Sequence, residues 1–203
     1  MIIEVPSVAI RPSDPSNLNQ MQSAVLRRAW ISLGGNVPWN GLAGAALFEQ
    51  AMAALAVGGF LTVRASRVWV GPAWPDPADP PFYNAVVEGR WPDNPPALLA
   101  LLLRTETAFG RRRSLKNAPR TLDLDLLDME GGRGRFDPDL EVPHPRLSIR
   151  PFILGPLAEA APDWRHPETG LGAAALIEVI ENKEQYKPIA EKPLKAAEIT
   201  ANP

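Results

Sequence analysis

Two aspartates, Asp123 and Asp125, alternate with leucines over residues 122–126 and could bind a metal ion together. A period of two is typical of a β-strand, on which the aspartates share one face and the leucines share the other. On such a strand their backbones lie roughly 6–7 Å apart, so their carboxylate oxygens can converge on one or two hard cations. Magnesium accepts these ligands and keeps coordination positions for substrate phosphates. The same pattern also fits a sheet edge whose acids face water, and the pattern alone leaves both interpretations open.

Arginines are concentrated just before this acidic pair. Arg120 precedes it directly, and Arg111, Arg112, Arg113 and Lys116 lie a few positions upstream. The planar guanidinium matches phosphate oxygens, and acids beside arginines are typical of a metal-assisted phosphoryl site. The segment lacks apolar periodicity, which predicts a loop that could close over a substrate and exclude water. Two alternatives use the same residues: cations that stabilise a helix end, and a contact with nucleic acid.

Two further segments combine groups that suit a ligand. His144 and Arg150 lie in a proline-rich segment and could hold a phosphate chain, although a histidine between prolines can equally cap a turn. Asn84 follows Phe82 at the start of a predicted strand. An amide that both donates and accepts hydrogen bonds, placed beside an aromatic face, suits the edge of a flat heterocycle. An asparagine at such a position also commonly caps a turn, so this segment has two interpretations as well.

Composition restricts the classes of protein that these residues could belong to. The chain has 203 residues, of which 45% are hydrophobic and 22% charged, and this predicts one globular domain with a sizeable core. The net charge of −2 gives no general attraction to nucleic acid, and the absence of cysteine excludes disulfides and thiolate chemistry. No apolar run approaches the ~18 residues of a membrane span, and no secretory signal is evident. We therefore expect a cytoplasmic protein without a membrane partner.

Six elements in the order β-α-β-β-α-β are predicted to position these residues. Strands are expected at residues 28–33, 60–70, 83–91 and around the aspartate pair, with helices at residues 41–57 and 95–109. This order is typical of an α+β, ferredoxin-like sandwich, in which helices pack on a mainly antiparallel sheet. A short C-terminal helix is expected near residues 172–181.

The two ends of the chain are expected to lie outside this domain. Residues 1–26 contain prolines and polar residues with weak periodicity, which predicts a partly disordered N-terminal extension. Residues 27–182 are predicted to form the single domain. Residues 183–203 are charged and interrupted by prolines, which predicts a mobile C-terminal tail.

Taken together, the motifs resemble those of the 6-hydroxymethyl-7,8-dihydropterin pyrophosphokinase family. The resemblance extends over residues 30–177, and its most specific element is the sequence Pro-Arg-Thr-Leu-Asp-Leu-Asp at residues 119–125. The other matching motifs occur in the family's order: Gly-x-Asn at 34–36, Pro-Ala-Trp at 72–74, Phe-Tyr-Asn-Ala at 82–85, Glu106 with Gly110 and Arg111, and Val-Pro-His at 142–144.

The resemblance implies a ferredoxin-like fold and a reaction of folate biosynthesis. Pyrophosphate would pass from ATP to the hydroxymethyl group of 6-hydroxymethyl-7,8-dihydropterin, giving the pterin diphosphate and AMP. The partners would then be two small-molecule substrates, ATP and hydroxymethyldihydropterin, with no nucleic acid and no membrane. The resemblance also leaves room for an association with another folate-pathway enzyme.

The resemblance also implies a role for individual residues. Asp123 and Asp125 would bind two magnesium ions (Mg2+), and Arg111 and Arg120 would assist phosphoryl transfer. The residues that would contact ATP are Glu106, Arg113, Lys116, His144 and Arg150. The residues that would form the pterin pocket are Gly71, Pro72, Trp74, Phe82, Asn84 and Phe152.

Two competing functions remain on the same fold. A nucleic-acid-binding module would stack bases on aromatic residues exposed on the sheet, but the predicted strands lack that pattern. A degenerate family member would bind pterin without catalysis, and the retained acids and arginines argue against it. The chain departs from the family pattern in the loop at residues 114–118, where Asn117 replaces a tryptophan that closes over the pterin.

Overall fold

The computed structural model describes residues 25–73, 76–112, 118–138, 140–189 and 192–195. The helices within these ranges are α1 (Gly44–Val57), α2 (Pro95–Ala108), α3 (Pro151–Ala160) and α4 (Ala173–Glu178). The strands are β1 (Arg27–Gly35), β2 (Leu61–Ala65), β3 (Trp69–Gly71), β4 (Phe82–Trp91), β5 (Asp123–Met129), β6 (Gly134–Asp137), β7 (Leu140–Val142) and β8 (Lys187–Pro188). Among the described residues, no helix combines the length and the apolar character needed to cross a membrane.

The central sheet is antiparallel, with strand order β5-β1-β4-β3-β8, and β2 pairs with β4 beside β3. The first six predicted elements occur in the expected order, which confirms the ferredoxin-like α+β fold. β1 forms the centre of the site because it pairs with β4 on one side and β5 on the other.

Alternating residues of β1 and β5 face two different hydrophobic cores. Ile31 and Leu33 of β1 and Leu124 of β5 pack with α1 and α2 on one face of the sheet. Trp30 and Leu127 pack with α3 and α4 on the other face. The period of two therefore places Asp123 and Asp125 on the face that α3 and α4 cover, next to a fully buried strand centre.

The strand predicted over residues 60–70 is two strands, because the strand is interrupted between Ala65 and Trp69. The Ser66 hydroxyl accepts a hydrogen bond from Val86 N at 3.0 Å, and Ser66 N donates to Val86 O at 2.9 Å. These bonds hold the chain to β4 while it changes direction between β2 and β3. β3 then continues the sheet beside the start of β4, where the pocket lies.

The proline-rich segment at residues 143–156 leads into a helix, α3, that the sequence pattern does not predict. Pro151 occupies the first turn, where its missing N–H costs nothing, but Pro156 lies inside the helix and removes a hydrogen bond. Ile153, Leu154 and Leu157 are completely or almost completely buried in the second core. The free energy gained by burying these side chains offsets the cost of the helical hydrogen bond that Pro156 removes. The β6–β7 hairpin was not predicted, whereas the predicted C-terminal helix is present as α4.

The predicted division into extension, domain and tail stays a prediction. Residues 1–24 lie outside the described residues. Part of the predicted tail is described, and it lies on the sheet: β8 pairs with β3 and extends the sheet by one strand.

Candidate active site

An open pocket of about 490 Å³ lies where β1, β4 and β5 meet the start of α3. Acids and arginines line one part of it, and aromatic rings line another. The lining residues are Ser32, Leu33, Gly34, Pro72, Phe82, Asn84, Arg111, Arg120, Asp123, Asp125, His144, Arg146, Ile149, Arg150, Phe152, Ile153 and Tyr186.

Strand register joins the acidic and aromatic parts across β1. Gly34 of β1 is the pairing partner of both Asp123 and Asn84. A Cβ on Gly34 would lie 3.2 Å from the ring of Phe82, so glycine keeps the passage between the two parts open. Neighbouring strands are about 4.8 Å apart, which places the acids about 10 Å from Asn84 at the backbone. One elongated pocket therefore serves both parts.

Asp123 is held between two arginines. Arg111 bonds to its Oδ1, and Arg120 Nη1 donates to its Oδ2 at 2.9 Å. Arg111 also forms an ion pair with Glu106 of α2. Both oxygens of Asp123 are thus occupied by guanidinium groups, which would be released if the carboxylate bound a cation instead.

Glu106 lies beneath the pocket rather than on its lining. Its side chain is buried and accepts a hydrogen bond from Leu124 N at 2.8 Å. Burial raises the pKa of Glu106 to about 7, against the lowering effects of the Leu124 hydrogen bond and Arg111. From this position Glu106 orients Arg111 and does not itself reach into the pocket.

The turn after β1 fixes the backbone of Arg120. Asn36 Oδ1 accepts from Arg120 N at 2.9 Å, and Asn36 N donates to Arg120 O at 3.0 Å. The amide of Asn36 also donates to Pro80 O at 3.1 Å. A Cβ on Gly35 would lie 2.3 Å from Thr121 O, so glycine is required for this close approach. The Gly-x-Asn motif therefore positions an arginine.

Asp125 faces a second cationic group formed by the segment before α3. Arg150 Nη1 lies 3.3 Å from Asp125 Oδ2. His144 Nδ1 accepts from Arg146 N at 3.1 Å, which fixes the ring. Burial lowers the pKa of His144 below its usual value, and the charges of Arg150 and Arg146 lower it further despite Asp125. His144 is therefore a neutral imidazole at pH 7.

The aromatic part of the pocket lies between β4 and α3. The Arg120 guanidinium lies 5.4 Å from the ring centroid of Phe82, and the Arg150 guanidinium lies 5.6 Å from that of Phe152. Each ring is thus linked to one of the arginines that face the acids. Asn84 is buried, and its amide nitrogen lies 3.4 Å from Phe82 O, a weak contact that leaves the amide available for a ligand.

The structure brings together most of the residues singled out in the sequence. Ten of them line the pocket: Pro72, Phe82, Asn84, Arg111, Arg120, Asp123, Asp125, His144, Arg150 and Phe152. Glu106 lies beneath the pocket, and Gly71 lies beside it on β3. Arg113, Lys116, Trp74 and Asn117 lie outside the described residues.

Several lining residues were not predicted. Ser32 could have been found, because it shares a strand face with Gly34 in the alternating pattern of β1. Arg146 and Ile149 belong to the segment around His144, but their orientation depends on the turn that precedes α3. Tyr186 carried no signal, because it lies in a charged, proline-containing segment that was predicted to be mobile.

A ferredoxin-like sheet that presents two carboxylates, four arginines and an aromatic cleft in one pocket defines an enzyme of the phosphoryl-transfer class. The model of the 7,8-dihydro-6-hydroxymethylpterin-pyrophosphokinase (HPPK) family matches residues 30–162. The chain belongs to this family, and its reaction is pyrophosphoryl transfer to hydroxymethyldihydropterin in folate synthesis. Membership of the family also implies ATP as co-substrate.

Relatives in several organisms support the family assignment. The chain is 39% identical to a 2-amino-4-hydroxy-6-hydroxymethyldihydropteridine pyrophosphokinase of Synechocystis sp., over 75% of this chain and 76% of the relative. It is 36% identical to an enzyme of the same name from Methylorubrum extorquens, over 68% of this chain and 85% of the relative.

A solved structure supports the fold. The crystal structure of wild-type Plasmodium falciparum HPPK-DHPS is similar over 84% of this chain, with a TM-score of 0.60 and 13% identity. The match covers 45% of that longer chain. Relatives named as a folate synthesis bifunctional protein (Chlamydia caviae) and as a folic acid synthesis protein (Pneumocystis carinii) are also longer, since this chain covers 20% and 21% of them.

Proposed function

We propose that the pocket binds the pterin at its aromatic part and the ATP triphosphate at its arginine-rich part. The observation that carries this assignment is that one pocket contains both parts, joined across Gly34. An elongated cavity with a flat aromatic part and a cationic part matches a heterocyclic alcohol that attacks a phosphate chain.

The aromatic part supplies the groups that a pterin needs. Phe82 and Phe152 offer ring faces, and the amide of Asn84 can both donate to and accept from the edge of the heterocycle. Pro72 lines the same part of the pocket, and Gly71 lies behind it. We assign Trp74 to this part from the family pattern alone.

Magnesium fits the carboxylates that the chain provides. Among the described residues, no three acidic, histidine or cysteine side chains are grouped closely enough to enclose a metal ion. Mg2+ is typically held by one or two carboxylates together with phosphates, and Asp123 and Asp125 are such a pair. These two residues would hold two ions. When bound, Mg2+ would neutralise phosphate charge and lower the pKa of the pterin hydroxyl.

The arginines stabilise the charge that moves during transfer. Arg111 and Arg120 are bonded to Asp123, so they are already placed beside the reacting groups. The Nε of Arg120 is buried without a hydrogen-bond partner among the described residues. Once Mg2+ takes the oxygens of Asp123, the two guanidinium groups would be released to the phosphate oxygens beside them, where they would stabilise transition-state charge. Arg150 and the neutral ring of His144 would hold the rest of the triphosphate, and we assign Arg113 and Lys116 to the same role from the family pattern alone.

Release of AMP from ATP tests the reaction itself. Purified protein with ATP, Mg2+ and 6-hydroxymethyl-7,8-dihydropterin is expected to form AMP and pterin diphosphate in equal amounts. A control without pterin corrects for ATP hydrolysis. AMP formation at the rate of that control, with pterin still bound, would show a degenerate protein that binds without catalysis.

Removal of a carboxylate tests the metal assignment. Asp125→Ala is expected to lower turnover about 1,000-fold while the far-ultraviolet circular dichroism spectrum stays unchanged. Glu141→Ala removes an exposed acid from β7 and serves as the matched control. Near-normal turnover of Asp125→Ala at saturating Mg2+ would refute the metal role.

The setting of the enzyme is a further part of the proposal. Because relatives join this domain to other folate-pathway domains, we propose that the chain associates with another enzyme of that pathway in the cytoplasm. Affinity purification of the tagged chain from its own cells, after fractionation, should recover such an enzyme from the cytoplasmic fraction. Recovery of the chain alone at mild ionic strength would contradict the association.

A further inference from the structure

The segment that follows α4 returns to the sheet and is fixed there by backbone hydrogen bonds. Lys187 and Pro188 form β8 beside β3. Ile189 N donates to Val68 O at 2.9 Å, and Leu194 N donates to Ser66 O at 3.0 Å. The segment therefore has a defined position at the edge of the sheet, beside the aromatic part of the pocket.

Tyr186 stands immediately before β8 and lines the pocket. A Cβ on Gly71 would lie 2.1 Å and 2.3 Å from two carbons of the Tyr186 ring, so the ring lies directly on the backbone of β3. An alanine at Gly71 would force the ring away. Gly71 and Tyr186 therefore fit each other, because β3 has no side chain at the position where the Tyr186 ring packs.

The same ring supports Phe152. The centroids of Phe152 and Tyr186 are 5.8 Å apart, and the rings are inclined by 44°, which is within the range of favourable aromatic pairs. Phe152 stands in the first turn of α3 and is only partly buried against the second core, so the Tyr186 ring adds a contact that limits its movement. Burial also raises the pKa of Tyr186, so its hydroxyl is a neutral donor at pH 7.

We propose that Tyr186 is a positioning residue for the pterin: it forms the back wall of the aromatic part and holds the Phe152 ring in the orientation that stacks on the substrate. Tyr186 lies beyond residues 30–162, which the family model matches. The proposal rests on the assignment of the pterin to the aromatic part of the pocket. A ring fixed before binding loses less conformational entropy when the pterin arrives, so the effect should be on pterin affinity.

Variants of the full-length chain test this role. Tyr186→Ala is expected to raise the KM and Kd for pterin about five- to tenfold, because one aromatic contact and the order of Phe152 are lost. kcat and the KM for ATP should stay within about twofold of the wild type. Tyr186→Phe keeps the ring and should restore pterin affinity. Lys187→Ala, an exposed neighbour in β8, is the matched control.

Tyr186→Leu separates positioning from stability, since it keeps apolar volume without a ring. It should raise the pterin KM while its thermal midpoint remains close to that of Tyr186→Phe. Equal pterin affinities of the Leu and Phe variants would overturn the proposal, as would an unchanged pterin Kd in Tyr186→Ala. Asn84→Ala tests the pterin assignment separately: if it leaves the pterin Kd unchanged, the assignment itself fails, and the Tyr186 proposal with it.

Discussion

Arg120 shows how much of the site is assembled before a substrate binds. Its guanidinium is bonded to Asp123, its backbone is held by Asn36, and its charge lies over Phe82. A single residue thus contacts both parts of the pocket. Because its backbone is held in place while its guanidinium lies beside the carboxylate that would hold Mg2+, we expect its contribution to appear in the transition state more than in ground-state binding.

Arg120→Ala is therefore expected to lower kcat about 100- to 1,000-fold, while the Kd for ATP changes by less than about fivefold. Steady-state kinetics combined with equilibrium binding measure the two quantities. Arg104→Ala, which removes an exposed arginine of α2, is the control for charge alone. Equal losses in kcat and affinity would make Arg120 a binding residue only.

Glu106 makes stability depend on pH in a definite direction. Its pKa in the folded protein is raised by burial to about 7, above the ordinary value of about 4.5, so the folded state retains a proton that the unfolded chain releases. This contribution is fully present below the unfolded pKa and is lost as pH rises through the folded pKa.

The Glu106→Gln variant lacks this pH-dependent contribution to stability. The free energy of unfolding of the variant relative to the wild type should therefore increase between pH 4.5 and 7, by roughly 3 kcal/mol at most. Urea denaturation of both proteins without metal ions gives the difference at each pH. A difference that is constant across this range would show that Glu106 is not proton-linked to folding.

At the scale of elements, the turn after β1 holds the backbone of Arg120. Asn36→Ala removes the acceptor of Arg120 N and is expected to lower kcat about tenfold, with a loss of about 1–2 kcal/mol in the free energy of unfolding. In the background of Arg120→Ala its effect on kcat should be much smaller, because both act on the same guanidinium. Additive effects on kcat in this double-mutant cycle would contradict the coupling.

The packing of α3 on β3 sets the position of Phe152. A Cβ on Gly155 would lie 2.5 Å from the indole of Trp69, so Gly155→Ala should lower the free energy of unfolding by about 1–3 kcal/mol. Ala158→Gly, at a half-buried position of the same helix, gives the combined cost of a lost methyl contact and of a change in helix propensity. Stability of Gly155→Ala equal to the wild type would show that the helix can shift freely.

At the scale of the whole molecule, the sequence pattern predicts the features that depend on local periodicity, namely the faces of the strands and the order of the elements. The alternation around Asp123 predicts its face of β5, and the βαββαβ order predicts which strands are neighbours. The pattern does not predict the interruption at Ser66 or the helix around Pro156, because tertiary contacts override local preference at both positions. The pattern could not predict that Tyr186 lines the pocket. Its position depends on Gly71, a residue distant in sequence that has no side chain to occupy the space of the Tyr186 ring.

The described part of the predicted tail also contributes to the main core. Leu194 is 7% exposed and packs in the core formed by α1 and α2. Leu194→Ala should therefore lower the free energy of unfolding by about 2–3 kcal/mol, measured in urea, whereas the exposed Lys192→Ala should leave it unchanged. Equal stability of the two variants would mean that the segment does not support the fold.

β8 also bears on the association of one molecule with another, because it covers the edge of β3. Without it, the backbone N–H and C=O groups of β3 would form an open sheet edge, and open edges pair readily with those of other molecules. A chain shortened to the family-matched residues 30–162 would therefore be prone to aggregate, even with every proposed catalytic residue in place. In the full chain the two residues of β8 cover the edge of β3.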